Sequence, residues 1–290
     1  MEKIICPICK GEDHRLFCQK NDYDLHLCKN CNLVFVWPPP NVLDDVYSKN
    51  YFHKDDQDHK FGYTNYDQDK EMMRPVFVKH LDHFSSLVEG RKIFDIGSAT
   101  GYFLDLAKQR GWDTYGIDIS DYASQLAREK GHRAWAGKDL SVVDTEDKFD
   151  IVTMWDVLEH LPDPLVYLKE LRSKMVEDSV LAVNTIDRGS LWAKMLGKRW
   201  QLIMPPEHLM YYTYKNLEDL FDKAGFEIID KRKIGKKFSL PYIFHILHNS
   251  KNIPWFKSLS DFFDKPMWRK FAIPINVRDN IFVLVKPKKQ

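Results

Sequence analysis

The stretch Ile93–Leu104 constrains the fold of this 290-residue chain more than any other. It opens with the apolar run Ile93–Ile96, which is typical of a buried strand. Gly97 and Gly101 follow, and glycine allows backbone conformations and a close ligand approach that a side chain would block. From Phe103 onward the apolar residues recur at helical spacing. The stretch therefore predicts a strand, a glycine turn and a helix whose free N–H groups face the turn, as in nucleotide sites.

Strand and helix signals alternate through the rest of the chain. Helices are predicted at Tyr102–Arg110, Tyr122–Lys130, Pro164–Met175 and Leu217–Ala224. Strands are predicted at Thr114–Ile117, Ala134–Ala136, Asp150–Met154, Val180–Asn184, Phe226–Ile229 and Asn280–Val285. Such alternation is typical of a parallel sheet with helices on both faces, whose ligands bind at the carboxyl ends of the strands. We expect Gly97, Asp118, Asp139 and Trp155 to meet at that edge.

Two polar motifs follow the later strands of this pattern. Asp156–His160 comes directly after a predicted strand, and Pro205–Leu209 precedes a Gly-Phe pair. Together with the glycine turn and Asp118, these motifs resemble the class I S-adenosylmethionine (SAM)-dependent methyltransferases, in the subset that acts on small molecules such as sugars. The motifs span most of residues 91–229.

The glycine turn departs from that family at one position. The family motif is Asp/Glu-x-Gly-x-Gly-x-Gly, and the chain matches it at Asp95, Gly97 and Gly101. Ala99 stands where the middle glycine is usual, so we expect a narrower cofactor loop that still binds. The dinucleotide pattern Gly-x-Gly-x-x-Gly is absent here.

The resemblance implies a fold class and a domain division. The fold is α/β: a Rossmann-like, seven-stranded class I methyltransferase sheet with helices on both faces and the last strand antiparallel. Residues 91–290 form this domain, with a helical insertion around 240–272. Residues 39–90 form a linker and helices that cover the cofactor. Residues 1–38 form a separate module.

The resemblance also assigns roles to residues. Asp118 accepts hydrogen bonds from the ribose hydroxyls, and Asp139 and Leu140 contact the adenine edge. The remaining cofactor contacts lie in the glycine turn, directly after Asp118 and at Trp155. The full cofactor set is Asp95, Gly97, Ser98, Ala99, Gly101, Tyr102, Phe103, Asp118, Ile119, Asp139, Leu140 and Trp155. His208 is the first candidate for the general base, Glu207 orients it or the acceptor, and His160 is the second candidate. Structural or packing roles remain open for Asp139, Trp155, His160 and His208.

The N-terminal module carries two Cys-x-x-Cys pairs. Cys6 and Cys9 form the first, and Cys28 and Cys31 form the second. Four thiolates at such spacing suit a closed tetrahedral site, so we predict one structural Zn²⁺ in a zinc ribbon or knuckle. Cys18, between the pairs, is interpreted as a small buried side chain rather than a ligand.

The charge of the chain is unevenly distributed. Residues 231–290 contain 14 Lys and Arg against three Asp, although the whole chain carries only +1. Aromatic and basic residues interleave within 240–272. A helical cap packed on the domain is the first interpretation of this segment, contact with an anionic membrane surface is the second and stacking on single-stranded RNA is the third. There is no apolar run long enough to span a membrane and no signal segment, so the sequence predicts a cytoplasmic protein, with contact at the inner membrane face as an alternative.

Three functions are compatible with these features. The first is methyl transfer from SAM to a small-molecule acceptor, foremost a sugar or a glycan precursor, free or lipid-linked. The second is methylation of rRNA or tRNA with the zinc module reading the RNA, although the module carries as many acidic as basic residues. The third is a binding protein that keeps the fold without catalysis. The acceptor atom and the oligomeric state stay open.

Overall fold

The structure is a computed structural model that describes residues 3–40, 66–239 and 272–289. Its strands are β1 (His14–Lys20), β2 (Tyr23–Cys28), β3 (Val34–Val36), β4 (Lys92–Ile96), β5 (Asp113–Asp118), β6 (Arg133–Ala136), β7 (Phe149–Trp155), β8 (Met175–Ile186), β9 (Met210–Tyr211), β10 (Phe226–Ser239) and β11 (Ala272–Pro287). Its α-helices are α1 (Tyr66–Lys70), α2 (Arg74–Phe84), α3 (Tyr102–Lys108), α4 (Asp121–Glu129), α5 (Pro164–Ser173), α6 (Leu191–Leu196) and α7 (Tyr214–Lys223). The insertion predicted around 240–272 lies, up to residue 271, outside the described residues.

Seven strands form the main sheet, in the order β10-β11-β8-β7-β4-β5-β6. The five strands from β8 to β6 are parallel to their neighbours, whereas β11 is antiparallel to both β8 and β10. The predicted Rossmann-like sheet with an antiparallel last strand is thereby confirmed. Helix α5 ends earlier than predicted, because Met175 joins β8 and pairs with Phe149 of β7.

Both faces of the central strands are buried, as their near-continuous apolar sequence requires. Alternate residues of one strand point to opposite faces, so Ile151 and Val152 of β7 belong to different core clusters. The cluster on one side includes Phe77 of α2 and Leu104 of α3, and the cluster on the other includes Leu168 of α5. Within the described ranges, no helix is both long and apolar enough to cross a membrane.

A second, four-stranded sheet joins the N-terminal module to the rest of the chain. Its order is β1-β2-β3-β9, and β9 is contributed by the segment just after the second polar motif. Val34 pairs with Tyr211 and Phe35 pairs with Met210, while the N–H of Val36 donates to Leu209 O at 2.9 Å. The core of the module is continuous with one core of the main sheet. The module is therefore packed against the main domain through backbone pairing and a shared core.

Candidate cofactor and acceptor site

The glycine turn connects β4 to α3 at the carboxyl edge of the main sheet. Gly97 N and Ser98 N both donate to Ile117 O, at 2.8 and 3.0 Å, and tie the turn to β5. Gly97 and Gly101 adopt φ values of +73° and +82°, and Ala99 adopts +48°. Left-handed backbone is favourable for glycine and costs a residue with a Cβ roughly 1–2 kcal/mol. Ala99 therefore occupies a strained position that the family fills with glycine.

Asp118, at the end of β5, locks this turn through its carboxylate. Its Oδ2 accepts from Ala99 N at 2.8 Å, and its Oδ1 accepts from Ser120 N at 2.9 Å. The side chain is buried, and burial raises the pKa of Asp118 to about 6 despite these two backbone hydrogen bonds, which lower it. Ile119, half-buried, follows directly. The carboxylate predicted to bind ribose is thus fixed beside the turn.

Further features of the turn fit a bound nucleotide-type cofactor such as SAM. The Ser98 hydroxyl is buried without a hydrogen-bond partner among the described residues, which is costly unless a ligand satisfies it. A Cβ built on Gly97 would lie 2.4 Å from Cγ2 of Val157, so the backbone here passes close to the segment after β7. The position of a side chain at Gly97 is therefore filled by Val157, so glycine is required here for close packing of the chain.

Asp95 lies in β4, two residues before Gly97, and its side chain is buried within the sheet. Its Oδ1 accepts from the Thr153 hydroxyl at 2.6 Å, and the side chain is 2% exposed. Burial raises the pKa of Asp95 to about 8, with a smaller opposing contribution from the Thr153 hydrogen bond. A carboxyl held largely protonated at neutral pH is a perturbed group of the kind that clusters at functional sites.

Three predicted aromatic contacts belong to one cluster beside the turn. The Trp155 ring lies 5.1 Å from Phe77 and 5.4 Å from Phe103, measured between centroids. Tyr102 donates its hydroxyl to Oε2 of Glu71 at 2.6 Å. These contacts tie α2 to the first turn of α3, so the cluster packs the helices against the cofactor edge.

The predicted adenine-side residues lie after β6. Asp139 precedes a 3₁₀ turn, Leu140–Val142, and its own side chain is exposed. Leu140 is fully buried and its side chain is part of the core. Gly137 N donates to Asp118 O at 2.9 Å, which brings this loop against the end of β5.

The two polar motifs meet at the end of β7, although they are far apart in sequence. His160 closes the 3₁₀ turn Leu158–His160, and its Nδ1 lies 2.7 Å from Glu207 O. The His160 and His208 rings face each other edge-on, with 4.9 Å between centroids. Leu209 N donates to Glu159 O at 2.8 Å. The His160 and His208 side chains are therefore one cluster, which Glu207 contacts through its main-chain carbonyl oxygen.

The carboxyl group of Glu207 is buried next to the histidine cluster in sequence. Its side chain is 7% exposed, and its Oε1 is buried without a hydrogen-bond partner among the described residues. Burial raises the pKa of Glu207 to about 7. A buried carboxyl of this kind costs stability and is typical of functional positions.

The four predicted zinc ligands also converge. Their Sγ atoms all lie within 4.8 Å of one another, and the Cys6–Cys31 and Cys9–Cys28 pairs are 3.6 and 3.5 Å apart. Sulfur atoms around a tetrahedral Zn²⁺ are about 3.8 Å apart, from a Zn–S distance of about 2.3 Å. The hydrogen bond with Cys31 lowers the pKa of the Cys6 thiol, and burial raises the pKa of the Cys9 thiol. The donor set thus fits zinc, and Cys18 lies outside it on β1.

Both cysteine pairs have the same local geometry. Lys10 N donates to Cys6 O at 3.0 Å, and Asn32 N donates to Cys28 O at 2.9 Å. Lys10 and Asn32 have φ values of +58° and +60°. Each pair therefore forms the same kind of turn, which suits a site built from two Cys-x-x-Cys pairs.

Sequence reasoning missed several polar partners of the site. Asn184 donates through Nδ2 to Oδ1 of Asp156 at 2.6 Å, and Asp156 has a φ of +56°. The Thr185 hydroxyl donates to Oε2 of Glu159 at 2.7 Å. The only sequence signal was that Asn184 and Thr185 follow the apolar part of a predicted strand. Their role depends on β8 lying next to β7, which local periodicity does not reveal.

Comparison with known proteins identifies the family to which this chain belongs. A family model described as a methyltransferase domain matches residues 70–231. Over 150 residues the chain is 30% identical to the ubiquinone biosynthesis O-methyltransferase of Haemophilus ducreyi and 27% identical to that of Actinobacillus pleuropneumoniae serotype 7. These matches cover 47% of the chain and 63% and 64% of the relatives, so the chain spans less than two thirds of their length.

Two solved structures share the fold. A Haloferax volcanii protein solved in complex with the Trm112 methyltransferase activator aligns with a TM-score of 0.54 and 14% identity, covering 77% of this chain and 93% of that one. A candidate methyltransferase of Bacillus halodurans aligns with a TM-score of 0.51 and 16% identity, covering 73% and 99%. The chain belongs to the methyltransferase-domain family and has the fold of the class I SAM-dependent methyltransferases.

Proposed function

We propose that this protein transfers a methyl group from SAM to a small-molecule acceptor. The observation that carries the proposal is the buried Asp118 carboxylate, held by Ala99 N and Ser120 N against the glycine turn. The turn, the unsatisfied Ser98 hydroxyl and Asp118 together offer the backbone and polar groups that a nucleoside requires. When bound, SAM supplies an electrophilic methyl group, so the chain has to align an acceptor and remove its proton.

The acceptor end of the site is the cluster of the two polar motifs. It lies at the end of β7, and Gly97 contacts that same segment through Val157. His208 as general base, Glu207 as the orienting carboxyl and His160 as the second base are part of this proposal. His208 Nδ1 lies 2.8 Å from Leu202 O, so the proton of the neutral ring is on Nδ1 and Nε2 is the basic atom. The same argument applies to His160 and Glu207 O.

A hydroxyl-bearing small molecule is the acceptor class that the relatives favour. The matched proteins are named ubiquinone biosynthesis O-methyltransferases. A sugar or glycan precursor, free or lipid-linked, is the finer proposal from the motif pattern. Membrane contact through the basic and aromatic segment belongs to the lipid-linked version, and residues 240–271 of that segment lie outside the described residues.

RNA methylation is the second candidate, and the N-terminal module bears on it. Two of its lysines are paired with acids of the same module: Lys3 with Glu12 at 3.2 Å and Lys29 with Asp13 at 2.8 Å. A surface with internally paired charges offers few cations for phosphate contacts. This arrangement favours a small-molecule acceptor over RNA.

An assay with methyl-labelled SAM tests the proposed reaction. We expect label on a hydroxylated small molecule from a panel of sugar nucleotides, lipid-linked sugars and phenols, and no transfer to rRNA or tRNA. His208→Gln should lower kcat about 100-fold or more, as expected for loss of a group at the reacting centre, without changing SAM affinity. His83→Gln, on α2, is the matched control. Transfer to RNA alone, or SAM binding with no transfer to any acceptor, would contradict the proposal.

Gly97→Ala tests the cofactor turn directly. The new Cβ would meet Cγ2 of Val157 at 2.4 Å in a backbone with φ of +73°, so the turn must shift. We expect SAM affinity, measured by calorimetry, to fall at least tenfold, equivalent to about 1.4 kcal/mol. Ala99→Gly is the matched control: it relieves a left-handed alanine and should keep affinity within about tenfold. Equal affinities of Gly97→Ala and the wild type would mean that the turn does not hold the cofactor.

A further inference from the structure

Three buried polar atoms at the carboxyl edge of the main sheet have no hydrogen-bond partner among the described residues. They are Trp155 Nε1 at the end of β7, Asn184 Oδ1 near the end of β8 and Asn280 Oδ1 in β11. Asn184 is 8% exposed and Asn280 is 2% exposed. Buried polar atoms are costly when unpaired, and β7, β8 and β11 are neighbours in the sheet. The three atoms therefore point to a bound molecule that pairs with them.

The strand register places the three side chains on one face of the sheet. Asn184 pairs with Trp155 on one side and with Phe282 on the other. Asn280 precedes Phe282 by two residues and pairs with Ile234, which packs against the core cluster on the α2 side. Because alternate residues of a strand share a face, Asn280 lies on the same face as Phe282 and Asn184. Diagonal neighbours of this kind are about 7–8 Å apart, within reach of one small molecule.

Neighbouring carboxylates fix the orientation of both amides. Asn184 Nδ2 donates to Asp156 Oδ1 at 2.6 Å, and Asn280 Nδ2 donates to Asp279 Oδ1 at 3.3 Å. An ionised carboxylate only accepts hydrogen bonds, so each amide must direct its NH₂ group toward the acid. Each Oδ1 is thereby left as an acceptor, whereas Trp155 Nε1 is a donor. A molecule that satisfies all three atoms must donate two hydrogen bonds and accept one.

Aromatic rings lie beside these polar atoms. The Trp155 and Phe282 rings are stacked, with 5.9 Å between centroids, and the His80 ring of α2 lies 4.3 Å from Phe282 and 5.3 Å from Trp155. Trp155 and His80 are half-buried. Trp155 also contacts Phe103 in the first turn of α3, so this face adjoins the glycine turn. Aromatic rings around a few oriented polar groups are typical of a small-molecule site.

We infer that Asn184, Asn280 and Trp155 bind the methyl acceptor and select molecules with at least two hydroxyl groups on one ring. The inference rests on the proposed function for the reaction itself. Asp156 N donates to Asn184 O at 3.0 Å and opens the motif that ends at His160, which connects this subsite to the histidine cluster. A hydroxyl group both donates and accepts, so a diol satisfies all three atoms. An acceptor with one hydroxyl leaves an amide oxygen unpaired.

Probe binding to the full chain, saturated with the SAM product S-adenosylhomocysteine, tests this assignment without turnover. The probes are UDP-glucose, UDP-galactose and catechol, each paired with the analogue that lacks one hydroxyl: the 2-deoxy sugar nucleotides and phenol. Ligand-observed NMR gives each Kd. We expect at least one diol to bind at least about tenfold more tightly than its analogue, and the pair that shows this preference identifies the source of the diol. No preference in any pair would overturn the inference.

Two variants assign the preference to the amides. Asn184→Leu and Asn280→Leu each remove one acceptor oxygen, and each should reduce the preference to less than about threefold. Asn280→Leu keeps the test valid if Asn184→Leu fails to fold, since Asn184 also pairs with Asp156. Gln125→Leu, at an exposed amide on α4, is the matched control and should keep the preference.

The remaining outcomes separate this subsite from the proposed reaction. A diol preference that survives in both asparagine variants would contradict the assignment to these residues. A diol preference without methyl transfer to any acceptor overturns the proposed function alone. Methyl transfer to a small molecule without any diol preference overturns the subsite alone.

Discussion

Cys28→Ser is expected to release the N-terminal zinc and destabilise the whole chain. Cys28 is fully buried at the end of β2 and belongs to the core that the module shares with the main sheet. Structural zinc contributes about 10–16 kcal/mol of binding free energy in small zinc modules, and that binding is coupled to folding. We expect the free energy of unfolding to fall by at least about 3 kcal/mol. The loss should be smaller than the full binding free energy of zinc, because part of the sheet remains paired without metal.

Metal analysis and thermal unfolding measure this effect together. Wild-type protein should lose zinc and stability in parallel when a chelator is added. Cys18→Ser is the matched control, since Cys18 lies on β1 outside the cysteine cluster, and it should keep its zinc. Zinc content unchanged by Cys28→Ser, or a disulfide between the cysteine pairs, would show that the cluster is not a zinc site.

The effect should extend to the acceptor end. Asn21 donates through Nδ2 to Pro205 O at 2.7 Å, and Asn216 donates through Nδ2 to Cys31 O at 2.6 Å. Strand β9, which pairs with β3, begins two residues after His208. The N-terminal module therefore supports the backbone that carries Glu207 and His208.

Asp118→Ala is expected to lower SAM affinity at least 100-fold. The substitution removes a charged acceptor for the ribose hydroxyls, and hydrogen bonds to charged groups contribute about 1.5–3 kcal/mol each. It also leaves Ala99 N without the oxygen that it contacts at 2.8 Å. Calorimetry with SAM gives the affinity, and Asp121→Ala, an exposed acid in the first turn of α4, is the matched control.

The same residue predicts a pH dependence of SAM binding. Burial raises the pKa of Asp118 to about 6, so its carboxylate becomes protonated as the pH falls through 6. The neutral form is the weaker acceptor, and SAM affinity should therefore fall below pH 6 and be constant above about pH 7. Asp118→Asn should bind weakly with no such dependence. An Asp118→Ala variant that binds like the wild type would remove Asp118 from the site.

The glycine turn was predictable because its signals are local. A strand, a turn and a helix within Ile93–Leu104 place Gly97 and Gly101, and Asp118 ends the strand that follows. Helix and strand periods follow from side-chain burial on one or two faces. The structure confirms the seven-stranded sheet on this basis. The lengths of β10 and β11 were not predictable, because they depend on pairing between residues far apart in sequence. The pairing extends from Phe226 with Pro287 to Ser239 with Ala272.

The acceptor half depends on contacts that no local pattern encodes. Strand β9 has only two residues and is a strand solely because β3 pairs with it. Likewise, the sequence indicates His160 and His208 as two separate catalytic candidates, and their mutual contact exists only in the folded chain. The polar partner Leu202 O has no sequence signature, and Thr185 is marked only by its place after the apolar part of a predicted strand. Contacts between distant parts of the chain determine where these residues lie, whereas local conformational preference determines the glycine turn.

A crystal structure with S-adenosylhomocysteine, the demethylated product of SAM, tests the central claim most directly. The account predicts ribose hydroxyls on the Asp118 carboxylate, the ligand against the backbone of Gly97 and Gly101, and its sulfur directed toward His160 and His208. A nucleoside bound elsewhere, or bound at the turn with its sulfur directed away from these histidines, would contradict it.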